Sequence, residues 1–264
     1  MKLGVNTVLF KGHSLREAMA AISRAGYDGV ELSALQGMSE HLLLDSYASQ
    51  AGEIRALCRQ YNLCLLSLEA ATLDEDRLTR AFEAAAALEI PVVNVGPGGT
   101  KGDEASLAAS IQTLRARAEL AGRYGVTLCV KAHVGCAIHD TPTTLRAMEE
   151  IKAPAFGIDM DPSHIYRAGE KPEEALAGVM SRVKHIHIRD CKGPGPSPGE
   201  PSLQTCGRGD INLFGYFQTL VRANYDGPVC LEVIGPEQTL EQAITIAAET
   251  YGYMNACLKA LNAR

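Results

Sequence analysis

The chain has 264 residues, of which 46% are hydrophobic and 21% charged, with a formal net charge of −6. That balance is ordinary for a soluble globular protein and argues against a surface that grips nucleic-acid phosphates without specificity. No apolar run approaches the ~18 residues of a membrane span, and the polar N-terminal stretch is too short for a secretory signal, so a cytoplasmic protein with no membrane partner is expected.

Short apolar runs alternate with longer amphipathic stretches along the whole chain. The runs fall at residues 3–6, 29–33, 63–69, 92–96, 126–133, 156–161, 183–190 and 228–234. Between them the pattern predicts helices over 14–25, 39–61, 75–88, 104–124, 142–152, 172–181, 213–223 and 237–261. Ser14 with Glu17 reads as a capping box, and Thr141-Pro142 as N-cap and first helical residue. Gly26, Gly125 and Gly227 fall where helices should stop. Strands alternating with helices imply parallel pairing, and eight repeats fit a closed α/β barrel, a (β/α)8 TIM barrel. No linker or low-complexity segment divides the chain, so residues 1–264 are expected to form one domain. The eight cysteines include no CxxC pair and are expected to be reduced, some of them small core hydrophobes.

Successive side chains of a strand point to opposite faces, which allows a finer reading. In 183–190, Ile186 and Ile188 share one parity, and His185, His187 and Arg189 the other. Asp159 and Asp161 oppose Ile158 and Met160; Cys129, Lys131 and His133 oppose Leu128 and Val130. Asn6, Glu31, Ser67, Glu69, Asn94 and Glu232 fall on the polar parity of their strands. One face therefore packs under helices while the other gathers polar groups toward the strand ends, where a TIM barrel places its active site. Asp161, His187 and Glu232 end three consecutive strands. Their mixed oxygen and nitrogen donors suit Mn²⁺, Mg²⁺, Co²⁺ or Zn²⁺; a hydrogen-bonded polar network without metal is the other reading.

The segments AGYDGVEL (25–32), DPSH (161–164), HIHIRD (185–190), GRGDIN (207–212) and YDGPVCLEV (225–233) occur in an order that resembles the xylose isomerase-like sugar isomerase and epimerase superfamily, which also contains apurinic-site endonucleases. The resemblance implies metal ligands at Asp161, His187 and Glu232, with His164 near the substrate and Glu31 contributing to the pocket. Members usually carry a further ligand, a glutamate ending the fifth strand, which epimerases pair with the glutamate of the last strand as two bases. This chain has Lys131 there, in Lys131-Ala132-His133.

An ammonium ~4 Å from a divalent cation would be repelled by roughly 8 kcal/mol at an effective dielectric near 20. Three arrangements follow. Lys131 replaces the metal as the cation organising Asp161 and Glu232; or it turns to Glu69 or Asp159 and leaves a three-ligand site, with His133 as a fourth donor; or a metal depresses its pKa and makes it a base.

The leading expectation is an isomerase or epimerase acting on a small sugar or polyol by proton transfer next to a carbonyl. Glu232 is the expected base and Lys131 or a metal its electrophilic partner, with His133, His164, Glu31, Glu69 and Arg189 binding substrate. Dehydration of a keto-polyol, which begins with the same step, and a non-catalytic sugar-binding barrel are the alternatives. A nuclease is disfavoured, because the acidic balance suits no nucleic-acid partner. The Gly-rich segment 96–102 reads as a capped loop, and 191–202, rich in Pro and Gly, as a flap or disordered loop at the mouth. Barrels of this kind often form homo-oligomers, yet no stripe marks an interface.

Overall fold

The computed structural model describes residues 1–264 as a closed eight-stranded parallel barrel ringed by helices. The barrel strands are β1 (Lys2–Asn6), β2 (Gly29–Leu35), β3 (Cys64–Glu69), β4 (Val92–Val95), β5 (Thr127–Lys131), β6 (Phe156–Met160), β7 (Val183–Ile188) and β8 (Pro228–Leu231). Each pairs with its sequence neighbours, and β1 closes the ring by pairing with both β2 and β8. The closing seam is tight. Gly4 of β1 pairs with Gly29 of β2 and Cys230 of β8, and a Cβ on Gly4 would lie 2.8 Å from the Cys230 sulfur.

The helices are α1 (Leu15–Ala25), α2 (Tyr47–Tyr61), α3 (Glu75–Ala87), α4 (Glu104–Arg123), α5 (Thr141–Glu150), α6 (Pro162–Arg167), α7 (Pro172–Val179), α8 (Leu213–Arg222) and α9 (Leu240–Ala260). The Ser14–Glu17 capping box is present, and Gly26 ends α1 in the left-handed region. Elsewhere the boundaries move. Asp140, not Thr141, caps α5, with Thr143 completing a capping box. Helix α8 stops at Ala223, and Asn224 with φ 53° makes the turn expected of Gly227.

The stretch read as one helix over 39–61 divides in two. Ser39–Glu40 pairs antiparallel with Ala34–Leu35 after a turn at Gly37, which has φ 74°, and α2 begins only at Tyr47. A left-handed turn costs glycine little, and it aims the chain back along β2.

A continuous cluster of 70 buried residues fills the space between strands and helices. The barrel lumen is instead lined by polar side chains. All eight cysteines are free; Cys64 is exposed at the start of β3, with Lys2 Nζ 3.6 Å from its sulfur. No helix is long and apolar enough to cross a membrane.

Candidate active site

The lumen side chains form two layers. The lower one consists of Asn6, Glu31, Ser67, Asn94, Asp159, His185 and His187, all buried. His187 sits at its centre, with Nε2 2.6 Å from Glu31 Oε2 and Nδ1 2.5 Å from Asp159 Oδ2. Both ring nitrogens face carboxylates, so both donate. Burial opposes charge on this ring, but the Asp159 and Glu31 carboxylates outweigh it and hold the imidazole pKa well above its ordinary value.

Asp159 also accepts from the backbone N–H of His187 at 3.0 Å and meets His185 Nδ1 at 2.9 Å, while His185 Nε2 reaches Ser67 Oγ at 2.9 Å. Although burial would raise the Asp159 pKa, the two imidazoles hold it far below the usual carboxylate range. Asn94 donates to Glu31 Oε1 at 2.6 Å; Asn6 donates to Glu31 Oε2 at 3.0 Å and Glu69 Oε2 at 2.5 Å.

The upper layer lines a cavity of about 160 Å³, bounded in part by Glu69, Lys131, His133, His164, Arg189 and Glu232. Lys131 Nζ donates to Glu232 Oε1 at 2.7 Å and Glu69 Oε1 at 3.3 Å. It therefore meets Glu69, one of the two partners expected of it, without leaving Glu232. Arg189 spans the other side: Nη2 is 2.8 Å from Asp161 Oδ2, Nη1 is 3.2 Å from Glu232 Oε2, and Nε donates to Ser163 Oγ at 2.8 Å. The guanidinium expected to meet substrate is largely engaged by the chain's own carboxylates.

Asp161 caps the short α6, its Oδ1 accepting from the Ser163 N–H at 2.8 Å and hydroxyl at 2.7 Å. Proline at the first position of α6 needs no N–H partner there, so the DPSH motif places Asp161, Ser163 and His164 at the mouth within one helical turn. His164 Nδ1 accepts from the Val134 N–H at 3.1 Å, and Arg189 Nη2 packs 2.8 Å from its Nε2. Burial first, then the Arg189 charge, hold its pKa well below the ordinary imidazole value. His133 stacks against it with ring centroids 4.1 Å apart, and the Cys136 sulfur lies 3.7 Å from His133 Nδ1.

The two carboxylates on Lys131 are held apart electrostatically. Burial, reinforced by the Glu232 charge, pushes Glu69 up to about 8. Burial would raise Glu232 as well, but Lys131, His187 and Arg189 hold it well below the usual carboxylate range. At neutral pH the site thus presents one protonated and one ionised carboxyl group, with a protonated lysine between them.

Three clusters of ligand-type side chains are compact enough for a divalent ion: Glu31–His185–Cys230, Asp159–His185–His187 and Glu31–Glu69–His187. The set expected to bind one, Asp161, His187 and Glu232, does not form such a cluster. His187 points both nitrogens at the lower-layer carboxylates, while Asp161 and Glu232 meet Arg189 and Lys131. Residue types at strand ends suggested this set but carry no information on the direction in which His187 points.

Ser163 was missed because it lies beyond the strand; the DPSH motif itself was the available signal. Of the remaining histidines, His13 bonds the Gln238 carbonyl and His41 bonds the His13 carbonyl, neither lining the cavity. Arg208 pairs with Glu249 on the surface. The Gly-rich segment 96–102 leads into α4, whose start is capped by Asp103.

The family described as xylose isomerase-like TIM barrel matches residues 19–251. Among curated relatives, an inosose dehydratase of Bacillus licheniformis is 27% identical over 126 residues, covering 43% of this chain and 42% of the relative. An inosose dehydratase of Bacillus velezensis is 26% identical over 133 residues, covering 46% and 45%. The matched region thus spans less than half the length of these curated relatives. Among solved structures, a protein of Bacillus anthracis described as the probable 3-DHS dehydratase AsbF superposes with a TM-score of 0.79 at 16% identity, over 97% of this chain and 99% of the other. A D-tagatose 3-epimerase-like protein gives 0.79 at 20% identity, over 99% and 98%. The IOLI protein with a binding zinc atom gives 0.79 at 20%, over 98% and 99%. At these identities the structural likeness is one of fold.

Proposed function

This chain belongs to the xylose isomerase-like TIM barrel family, and from that membership we propose that it is a lyase, eliminating water from a small sugar or keto-polyol after removing a proton next to the carbonyl. The observation that carries the reading is the position of Lys131 between Glu69 and Glu232. A lysine at the end of β5 takes away the second base expected of an epimerase. In its place stand an ionised carboxylate and a protonated one, grouped around a single cation.

Elimination needs that pair: a base for the C–H and an acid for the departing hydroxyl. Glu232 takes the proton, Lys131 and Arg189 direct N–H groups at the developing enolate oxygen, and Glu69 protonates the leaving group. The depressed pKa of Glu232 makes it a weak base while Lys131 donates to it. A substrate carbonyl that draws the ammonium hydrogen bond to itself restores part of that basicity. The relatives named inosose dehydratase support elimination. Isomerisation is the second reading, because Glu232 and Lys131 suffice for the proton abstraction it shares.

The test is incubation with a panel of keto-polyols and keto-sugars in D₂O, read by NMR. Loss of water with a new unsaturated or dicarbonyl product supports the lyase. Deuterium entering an isomerised or epimerised product without loss of water supports the second reading. No exchange and no product across the panel would remove both.

A further inference from the structure

Two cations are built into the strand-end centre. Lys131 bonds Glu232 and Glu69, and Arg189 is held between Asp161 and Glu232. An ammonium and a guanidinium together bring two positive charges to these carboxylates, the same charge as one divalent ion. Neither is a mobile surface group. Lys131 is 6% exposed and Arg189 2%, and the guanidinium is further tied by Ser163 Oγ and packed against His164 Nε2.

The carboxylate oxygens tell the same story from the other side. Asp161 Oδ2 and Glu232 Oε2 are both buried and have no aligned hydrogen-bond donor. Each faces the guanidinium as an ionic contact, at 2.8 and 3.2 Å. Two such oxygens turned toward a common positive charge are what a bound ion would produce, and here the side chain of Arg189 supplies that charge.

We propose that Lys131 and Arg189 act as a permanent side-chain substitute for a divalent ion between Asp161 and Glu232, so that the strand-end centre takes up no metal there. The proposal concerns how the site is organised and holds for elimination and isomerisation alike. It also has a chemical consequence: polarisation of a carbonyl in this site comes from directional N–H donors, which select for oxygen position as well as charge.

The test titrates Mn²⁺ into the full chain and follows free Mn²⁺ by its electron paramagnetic resonance signal, with thermal unfolding in millimolar Mn²⁺ or EDTA beside it. Wild type and Asp161→Asn should then show the same Mn²⁺ binding, and each should melt at the same temperature in Mn²⁺ as in EDTA. A Lys131→Glu/Arg189→Ala variant should bind Mn²⁺ tighter by roughly 100-fold or more, because two repelling charges leave and a ligand arrives. One equivalent of Mn²⁺ bound by wild type and lost in Asp161→Asn would overturn the proposal. Uptake kept in Asp161→Asn but lost in Glu31→Gln would support it, by placing the ion in the lower layer. Should the double variant not fold, the comparison of wild type with Asp161→Asn decides alone. None of these readouts uses catalysis, so a failed substrate screen and a failed metal test remain distinct.

Discussion

Glu69 and Glu232 share one ammonium yet titrate on opposite sides of the carboxylate range, and that split has measurable consequences. If Glu69 is the acid, turnover falls as pH rises through about 8. Glu69→Gln should remove that limb and lower kcat by roughly 10²–10⁴-fold, as a pH–rate profile will show. Stability follows the same proton. The folded state holds a proton on Glu69 that the unfolded chain releases near its ordinary value, so this group's contribution is full at low pH and lost as pH rises toward about 8. Glu69→Gln should therefore flatten the decline of the urea midpoint between about pH 5 and 8. The sequence was informative about which side chains face the lumen, because a period of two is a strong constraint. It was silent on how far they reach across. Lys131 and Glu232 lie 101 positions apart and meet only because the barrel closes.

At the scale of elements, the segment after β7 shows how a stretch rich in Pro and Gly becomes ordered. The Asp190 carboxylate accepts N–H groups from Cys191, Gly207 and Ile211, at 2.9, 3.0 and 3.1 Å, and so gathers both ends of the loop onto one residue. Gln204 ties the middle to β8's exit, donating to the Ile234 carbonyl and accepting from its N–H. Asp190→Ala would leave three backbone donors unpaired, at about 1–3 kcal/mol for each that finds no water. Limited proteolysis should then cut within 191–212 markedly faster than in wild type, and equal rates would show that Asp190 does not hold the loop. Sequence could place this loop at the mouth but not say that it is ordered, because its supports are side chains from outside its Pro/Gly stretch. The two-residue strand at Ser39–Glu40 escaped notice for a similar reason: only the partner edge of β2 defines it.

At the scale of the molecule, the barrel was the most legible feature, since eight repeats of strand and helix leave few other ways to bury the apolar faces. The hydrophobic cluster runs unbroken around the ring, so one cooperative unfolding transition is expected, with calorimetric and van't Hoff enthalpies equal. The chain has no tryptophan, and its nine tyrosines would report the transition. Two transitions would mean that the barrel unfolds in halves and is not one folding unit. Closure also gives the barrel two chemically distinct ends. Cys64 opens β3 at the end remote from the cavity and is exposed, whereas the partly shielded Cys136 stands beside His133 at the rim. A thiol-directed label therefore meets a fixed standard at one pole and a gauge at the other. A molecule that settles against His133 shades Cys136 while leaving Cys64 open, so the ratio of the two labels reads occupancy even before the chemistry of the occupant is known.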